Sequence, residues 1–234
     1  GHEAPVDVGT ATDIDSDQAV DIDALEIRQP LVLEDNHQRV VRTELDADSA
    51  RFVIRSRPRL SEADWSEHAR GRILGAPVSI DGPPVPDTIG GDWIEAACHY
   101  ARAQRIGLDY GPLFQGITTI ERSDQALIAR FSLPDAIHAD TTYHCHPGML
   151  DLCFQALISH PALTELAARG LAMLPVALGR LRWSPDAGAA VRCAAWIRDQ
   201  RPQSLGADFV LLDAADHPIA RIDNARFRLA ALVP

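Results

Sequence analysis

The sequence predicts an α+β fold in which a strongly curved antiparallel sheet wraps around a central helix. Segments with strand-like alternation occur in both halves of the chain, and one long apolar helix interrupts the second set. A helix that is apolar on most sides must be covered on most sides, and a curved antiparallel sheet provides that cover.

The N-terminal part of the chain is predicted to be an acidic leader followed by strands. Residues 1–24 contain seven acidic residues and no basic residue, which favours a disordered or loosely attached segment. Residues 25–75 are predicted to form a partial N-terminal half without its own central helix. Its strand-like runs lie at residues 25–33, 40–45, 51–56 and 64–75.

A segment rich in proline and glycine, residues 76–91, is the predicted linker to a C-terminal half at residues 92–234. This half is expected to open with a helix that Asp92 caps, with Ala97 and Cys98 on its apolar stripe and its end at Gly107. The other predicted elements are a short helix at residues 161–170 and strands at residues 118–121, 126–132, 178–183, 191–198, 208–212, 218–222 and 226–229.

The segment "HPGMLDLCFQAL", residues 146–157, is the predicted central helix, which we expect to extend to about residue 160. Its apolar residues recur at the spacing of a buried helical face. Asp151 and Gln155 are four positions apart, so they lie one turn from each other on the same side of the helix. By themselves they fit two interpretations, polar residues that stabilise the helix or a pair that takes part in chemistry.

Composition excludes several classes of function. The net charge is −11, all 22 basic residues are arginine, and no segment concentrates them, which argues against a nucleic-acid or anionic-membrane surface. No apolar run is long enough to span a membrane and no secretion signal is present. Four scattered cysteines without a CxxC pair suit a reducing cytoplasm. The chain, which begins Gly1-His2, is expected to be a piece of a longer polypeptide.

Five segments in order, "LEIRQPLVL" (25–33), "WSEHARGRI" (65–73), "YGPLFQG" (110–116), "HPGMLDLCFQAL" (146–157) and "LPVALGRLRW" (174–183), resemble the dehydratase domains of modular polyketide synthases. The resemblance covers about residues 25–230. It implies a double hotdog, two curved sheets that can each wrap a helix, with the first apparently incomplete. It also implies a β-hydroxyacyl thioester substrate carried on the phosphopantetheine of an acyl carrier protein, with no other cofactor.

The resemblance also implies roles for individual residues. Asp151 would be the acid that protonates the departing hydroxyl group, Gln155 would hold Asp151 or that hydroxyl group, and Tyr110 would lie beside the tunnel. Burial beside an apolar tunnel would favour the protonated form of Asp151. The implied substrate-binding residues are Gly111, Pro112, Phe114, His146, Leu174 and Pro175.

The sequence lacks the motif that carries the expected catalytic base of this family. Dehydratases carry a histidine in an HxxxGxxxxP motif in the first half, and that motif is absent from these 234 residues. His144, Cys145, His146 and Cys153 have none of the usual zinc spacings, so no metal site is predicted.

Three functional hypotheses remain open at this stage. The chain is a water-eliminating dehydratase, a relative that isomerises a double bond or closes a ring by oxa-Michael addition, or a degenerate structural domain. The expected partners are an acyl carrier protein, neighbouring synthase domains and a second copy of the chain, with no nucleic acid and no membrane.

Overall fold

The computed structural model describes residues 20–33, 38–75, 80, 84–133, 146–184 and 189–232. Eleven antiparallel strands dominate these residues. They are β1 (Val20–Ile27), β2 (Arg39–Asp46), β3 (Arg51–Pro58), β4 (Ser66–Ile73), β5 (Asp92–Glu95), β6 (Ile117–Arg122), β7 (Ala126–Phe131), β8 (Leu171–Trp183), β9 (Arg192–Arg201), β10 (Ser204–Leu212) and β11 (Pro218–Ala231).

The described helices are few and short. They are α1 (Ala96–Arg105), α2 (Pro147–Ala156) and α3 (Thr164–Ala168), with 3-10 turns at Pro112–Phe114, Leu157–Ser159 and Pro161–Leu163. The predicted central helix is therefore α2 extended by one 3-10 turn. None of the described helices has the length and apolar character needed to cross a lipid bilayer.

The strands form one continuous sheet in the order β2-β3-β4-β1-β8-β11-β10-β9-β7-β6-β5. Strand β1 joins the two halves, since it pairs with β4 on one side and with β8 on the other. In the second pairing Val20 lies opposite Trp183 and Ile22 lies opposite Leu181. A central β1–β8 seam thus connects four first-half strands to seven strands of the C-terminal half.

Helix α2 lies against the sheet of the C-terminal half. Leu152, Cys153 and Ala156 are fully buried in the same apolar core as Phe209 of β10 and Phe227 of β11. Proline at the first helical position and a histidine N-cap fix where the helix begins. The prediction of a sheet wrapped around an apolar helix is confirmed for this half.

The first half differs, because residues 20–33 and 38–75 contain strands but no helix. Three apolar side chains of β2, Val40, Val41 and Leu45, are exposed. Strand β1 begins at Val20, so residues 20–24 belong to the sheet, and the leader predicted for residues 1–24 is too long at its C-terminal end. Residues 1–19 lie outside the described residues, as do 76–79 and 81–83 of the predicted linker.

The prediction for α1 was wrong at its start and for its buried face. Residues 92–95 form β5, where Ile94 pairs with Ile120 of β6, and the helix begins at Ala96 without a side-chain cap. Cys98 is exposed, whereas His99 and Ala103 are buried. Pairing with β6 overrides the local capping signal, and the helix buries a histidine that bonds to Ser159.

Candidate active site

A cleft of about 800 Å³ opens beside α2. Its walls are the turn that precedes β6, the first two turns of α2 and one residue of β8. The lining residues are Asp109, Tyr110, Gly111, Pro112, Leu113, Phe114, Pro147, Leu150, Asp151, Phe154 and Pro175. Most of these side chains are apolar, so the cleft suits an apolar ligand with a polar group at Asp151.

Asp151 is the carboxyl group that α2 contributes to the cleft wall, and Asp109 of the turn is a second one. Gln155 Nε2 donates a hydrogen bond to Asp151 Oδ2 at 2.7 Å, the contact that the four-residue spacing predicts. Burial raises the pKa of Asp151, and the hydrogen bond from Gln155 lowers it by less. Desolvation therefore favours the protonated acid, the form able to donate a proton.

The carbonyl oxygen of Phe114 ties the turn to α2. It accepts a hydrogen bond from Gln155 Nε2 at 3.0 Å and a longer one, 3.5 Å, from the hydroxyl group of Tyr100. The Tyr100 hydroxyl in turn accepts from the Ile117 backbone N–H at 2.9 Å. The two hydrogen bonds of Nε2, to the Phe114 carbonyl oxygen and to Asp151, hold the Gln155 amide in place. The amide in turn orients the carboxyl group of Asp151.

Gln155 retains one unused polar atom. The side chain is 1% exposed, and its Oε1 has no hydrogen-bond partner within the part of the chain that the structure describes. A buried acceptor without a partner costs about 1–3 kcal/mol. The amide is therefore held in this buried position by the two hydrogen bonds that its Nε2 donates.

Tyr110 lines the cleft on the side opposite α2. Burial raises the pKa of its hydroxyl group, and the nearby Asp151 carboxylate contributes to this increase. Burial likewise raises the pKa of Tyr100 to about 12. The two rings meet edge to face with centroids 6.3 Å apart. Both phenols stay protonated at neutral pH, so Tyr110 is a hydrogen-bond donor at this wall.

The structure brings together most of the predicted site residues, but not all of them. Asp151, Tyr110, Gly111, Pro112, Phe114 and Pro175 line the cleft, and Gln155 supports it from behind. His146 is the N-cap of α2, where its Nδ1 accepts from the Gly148 N–H at 3.0 Å. Leu174 packs against a small apolar cluster with Ile158 and Ala172. Neither His146 nor Leu174 is among the lining residues.

The buried histidines of the described residues lie elsewhere and make structural contacts. His68 bonds to Ser56 and the Gln29 carbonyl group, His99 to Ser159, and His160 to the Asp124 carbonyl group. Within the described ranges no histidine lines the cleft. The same residues contain no group of three or more acidic, histidine or cysteine side chains placed to hold a metal ion.

Sequence reasoning missed part of the cleft. Asp109 and Leu113 belong to the same turn as the quoted motif, and Leu150 and Phe154 lie on the same side of α2 as Asp151. The helix signal was present, since Leu150 and Phe154 are spaced four apart and flank Asp151. The apolar spacing predicts burial for both residues but does not show that they line a cleft.

Comparisons with known proteins agree with this geometry. The family model described as "Polyketide synthase dehydratase N-terminal domain" matches residues 90–231. The spectinabilin polyketide synthase system protein NorA of Streptomyces orinoci is 29% identical over 221 residues, which is 88% of this chain. The chain spans only a small part of the curated relatives it matches, 11% in the case of NorA.

Solved structures show the same fold. A trans-AT polyketide synthase dehydratase domain from Brevibacillus brevis aligns with a TM-score of 0.78 and 20% identity, over 94% of this chain and 79% of that one. The dehydratase domain of PpsC from Mycobacterium tuberculosis, in complex with C12:1-CoA, aligns with a TM-score of 0.72 and 23% identity, over 93% and 77%. The fold is thus the double hotdog, and the chain belongs to the polyketide synthase dehydratase family.

Proposed function

We propose that this chain eliminates water from a β-hydroxyacyl thioester and that Asp151 protonates the departing hydroxyl group. The observation that carries the proposal is a desolvated carboxyl group, with a raised pKa, in the wall of a largely apolar cleft. The predicted carrier is the phosphopantetheine of an acyl carrier protein. The complex of PpsC with C12:1-CoA supports a thioester ligand for this fold.

The chemistry requires such an acid. Hydroxide is a poor leaving group, so the bond between the β-carbon and oxygen breaks with proton transfer from Asp151 to that oxygen, and water leaves. The electron pair of the α-carbon–hydrogen bond forms the new double bond, and the α-proton passes to a base. No histidine of the described residues lines the cleft to serve as that base.

Gln155 supports the proposal by holding the acid in place. Its Nε2 donates to Asp151 Oδ2 and to the Phe114 carbonyl oxygen, which fixes the carboxyl group at the cleft wall. An acid that is already oriented can transfer its proton to the leaving oxygen without rearrangement.

Double-bond isomerisation is the second candidate. It is favoured by the cleft lining itself, which within the described residues holds carboxyl groups and no histidine. One carboxyl group can remove a proton at one carbon and return it at another. Products with a shifted double bond would distinguish this reaction from elimination.

The test compares wild type with Asp151→Asn on a β-hydroxyacyl pantetheine thioester, with products followed by mass spectrometry. Loss of one positioned acid is expected to lower turnover by about 100-fold or more. Asp48→Asn is the matched control, because Asp48 is exposed in the β2–β3 turn, far in sequence from the cleft residues. It should leave turnover unchanged.

Melting temperatures separate chemistry from folding. Asn keeps the shape of Asp and an oxygen that can accept from Gln155, so the variant should melt close to wild type. A wild-type protein without turnover, or equal turnover in wild type and Asp151→Asn, would overturn the proposal.

A further inference from the structure

A stripe of apolar side chains on α2 continues past the cleft. Leu150 and Phe154, one turn apart, line the cleft. Phe154 also lines a second cavity together with Leu157 and Ile158, which lie one further turn along the chain. Phe154 is the one residue shared by the two sets of lining residues. A path along this face of the helix would run from Asp151, past Phe154, into the second cavity.

The second cavity is small and is lined by apolar side chains. Its volume is about 20 Å³, and the remaining lining residues are Ile106, Leu108, Leu163, Leu166, Ala167, Leu171, Ala172 and Met173. None of these side chains can bind a water molecule by a strong hydrogen bond. The cavity therefore suits the end of an alkyl chain.

Phe154, which contributes to the lining of both spaces, has its ring held in place. It packs edge to face on Phe209 and on Phe227, with centroid separations of 5.5 Å in both cases. Those two rings are themselves fully buried. Phe154 is therefore a packed wall rather than a freely turning side chain.

We propose that Phe154 limits the length of acyl chain that the cleft accepts, and that the cavity behind it is a continuation of the acyl path. The inference rests on the proposed function only in taking the ligand to be an acyl chain. Removal of the phenyl ring would join the cleft to the cavity and allow an acyl tail to follow α2 beyond Phe154.

The quantity to measure is the acyl chain length beyond which a further carbon no longer increases the binding affinity. Each methylene group that enters an apolar site strengthens binding by about fourfold. In wild type the affinity should rise with each carbon until the tail reaches Phe154 and then level off. In a variant without the ring, the rise should continue for several more carbons.

The test measures direct binding of saturated straight-chain acyl pantetheines, from butyryl to dodecanoyl, by calorimetry. These ligands lack the β-hydroxyl group, so binding does not depend on turnover. Phe154→Ala and the milder Phe154→Leu are compared with wild type. Phe52→Leu, which shortens a buried phenylalanine of β3 in the other half, is the matched control and should keep the wild-type plateau.

A refilling variant tests the cavity itself. Ala167 lines the second cavity and is 8% exposed. In the double variant Phe154→Ala, Ala167→Val, the added methyl groups occupy part of the opened space, so the plateau should move back towards shorter chains. If Phe154→Ala does not fold, Phe154→Leu decides the outcome.

A plateau at the same chain length in wild type and Phe154→Leu would overturn the inference, as would an equal change in Phe52→Leu. Absence of acyl pantetheine binding by wild type would also overturn it. The dehydration assay is judged separately. Turnover with an unmoved plateau would refute only the role of Phe154, and a moved plateau without turnover would refute only the dehydratase proposal.

Discussion

Strands β2 and β10 show how differently the two halves use the same sheet. Of the nine residues of β10, eight are buried, whereas none of the eight residues of β2 is buried. Strand β10 lies between β9 and β11, whereas β2 stands at the edge of the described sheet and pairs only with β3. The two strands also differ in what covers them, since α2 packs on the C-terminal half and the described residues of the first half place no helix on β2.

The halves also differ in the interactions of their side chains. Ion pairs cross one face of the first-half sheet, where Arg55 bridges Glu44 and Glu67 and Arg70 pairs with Glu26. Such exposed pairs contribute about 0–1 kcal/mol each. The C-terminal half instead has the aromatic cluster around Phe209. We infer that this half supplies most of the free energy of unfolding.

The largest expected effect tests this difference directly. Phe209→Ala should lower the free energy of unfolding by about 3–5 kcal/mol, because it opens a cavity in a core that is fully enclosed. Leu45→Ala in β2, where the side chain is 44% exposed, should cost less than about 1 kcal/mol. Denaturant titration of both variants provides the measurement, and equal losses would contradict the comparison.

A pH effect near neutrality is expected from His99 in the C-terminal half. His99 of α1 is fully buried against Ser159 and faces Arg102, and burial lowers its pKa to about 4. An unfolded histidine has a pKa near 6.5, so the unfolded state binds the proton first as the pH falls. Stability present above pH 6.5 is therefore lost between about 6.5 and 4, by up to roughly 3 kcal/mol.

Chemical denaturation at several pH values measures this slope. Burial also lowers the pKa of His160, so that residue adds a change in the same direction. His99→Gln should flatten the pH dependence without abolishing it. A slope identical to that of wild type would mean that His99 is not the group responsible.

The smallest of these effects concerns the seam between the halves. Arg180 of β8 donates to both oxygens of Asp21 in β1, at 2.9 and 2.6 Å, and Asp21 is fully buried. Arg180→Ala leaves that carboxylate without its partner and should cost about 1–2 kcal/mol. Arg28→Ala removes an exposed pair with Glu26 and should cost about 0.5 kcal/mol or less. Thermal unfolding of the two variants should resolve the difference.

The parts of the site that follow from local periodicity were predictable. The spacing of Asp151 and Gln155 predicted their contact, and the apolar pattern predicted α2. Leu174 was wrongly grouped with Pro175, because adjacent residues of a strand point to opposite faces and only Pro175 lines the cleft. The sequence motif could not show which of the two faces the cleft.

Two features of the site could not be predicted from the sequence, for a different reason: the N-cap role of His146 and the contact of Phe154 with both cavities. A histidine before a proline carries no local signal for an N-cap, which only the bond of its Nδ1 to the Gly148 N–H reveals. A substrate-binding role for His146 stays a prediction. Phe154 was predicted to be buried, but its contact with both cavities depends on α3 and β8, which pack behind it. Contacts between segments that are far apart in the sequence leave no periodic pattern from which they could be predicted.

The β1–β8 seam has a consequence for the order of folding. Val20 and Trp183 are paired although more than half of the chain separates them, so β1 closes a very long loop when it joins the sheet. A chain synthesised from its N-terminus exposes β1 to β4 well before β8 exists to receive them. Strands β1–β4 can pair with one another before then, but β1 keeps an unpaired edge until β8 is made, and such an edge can pair with a wrong strand.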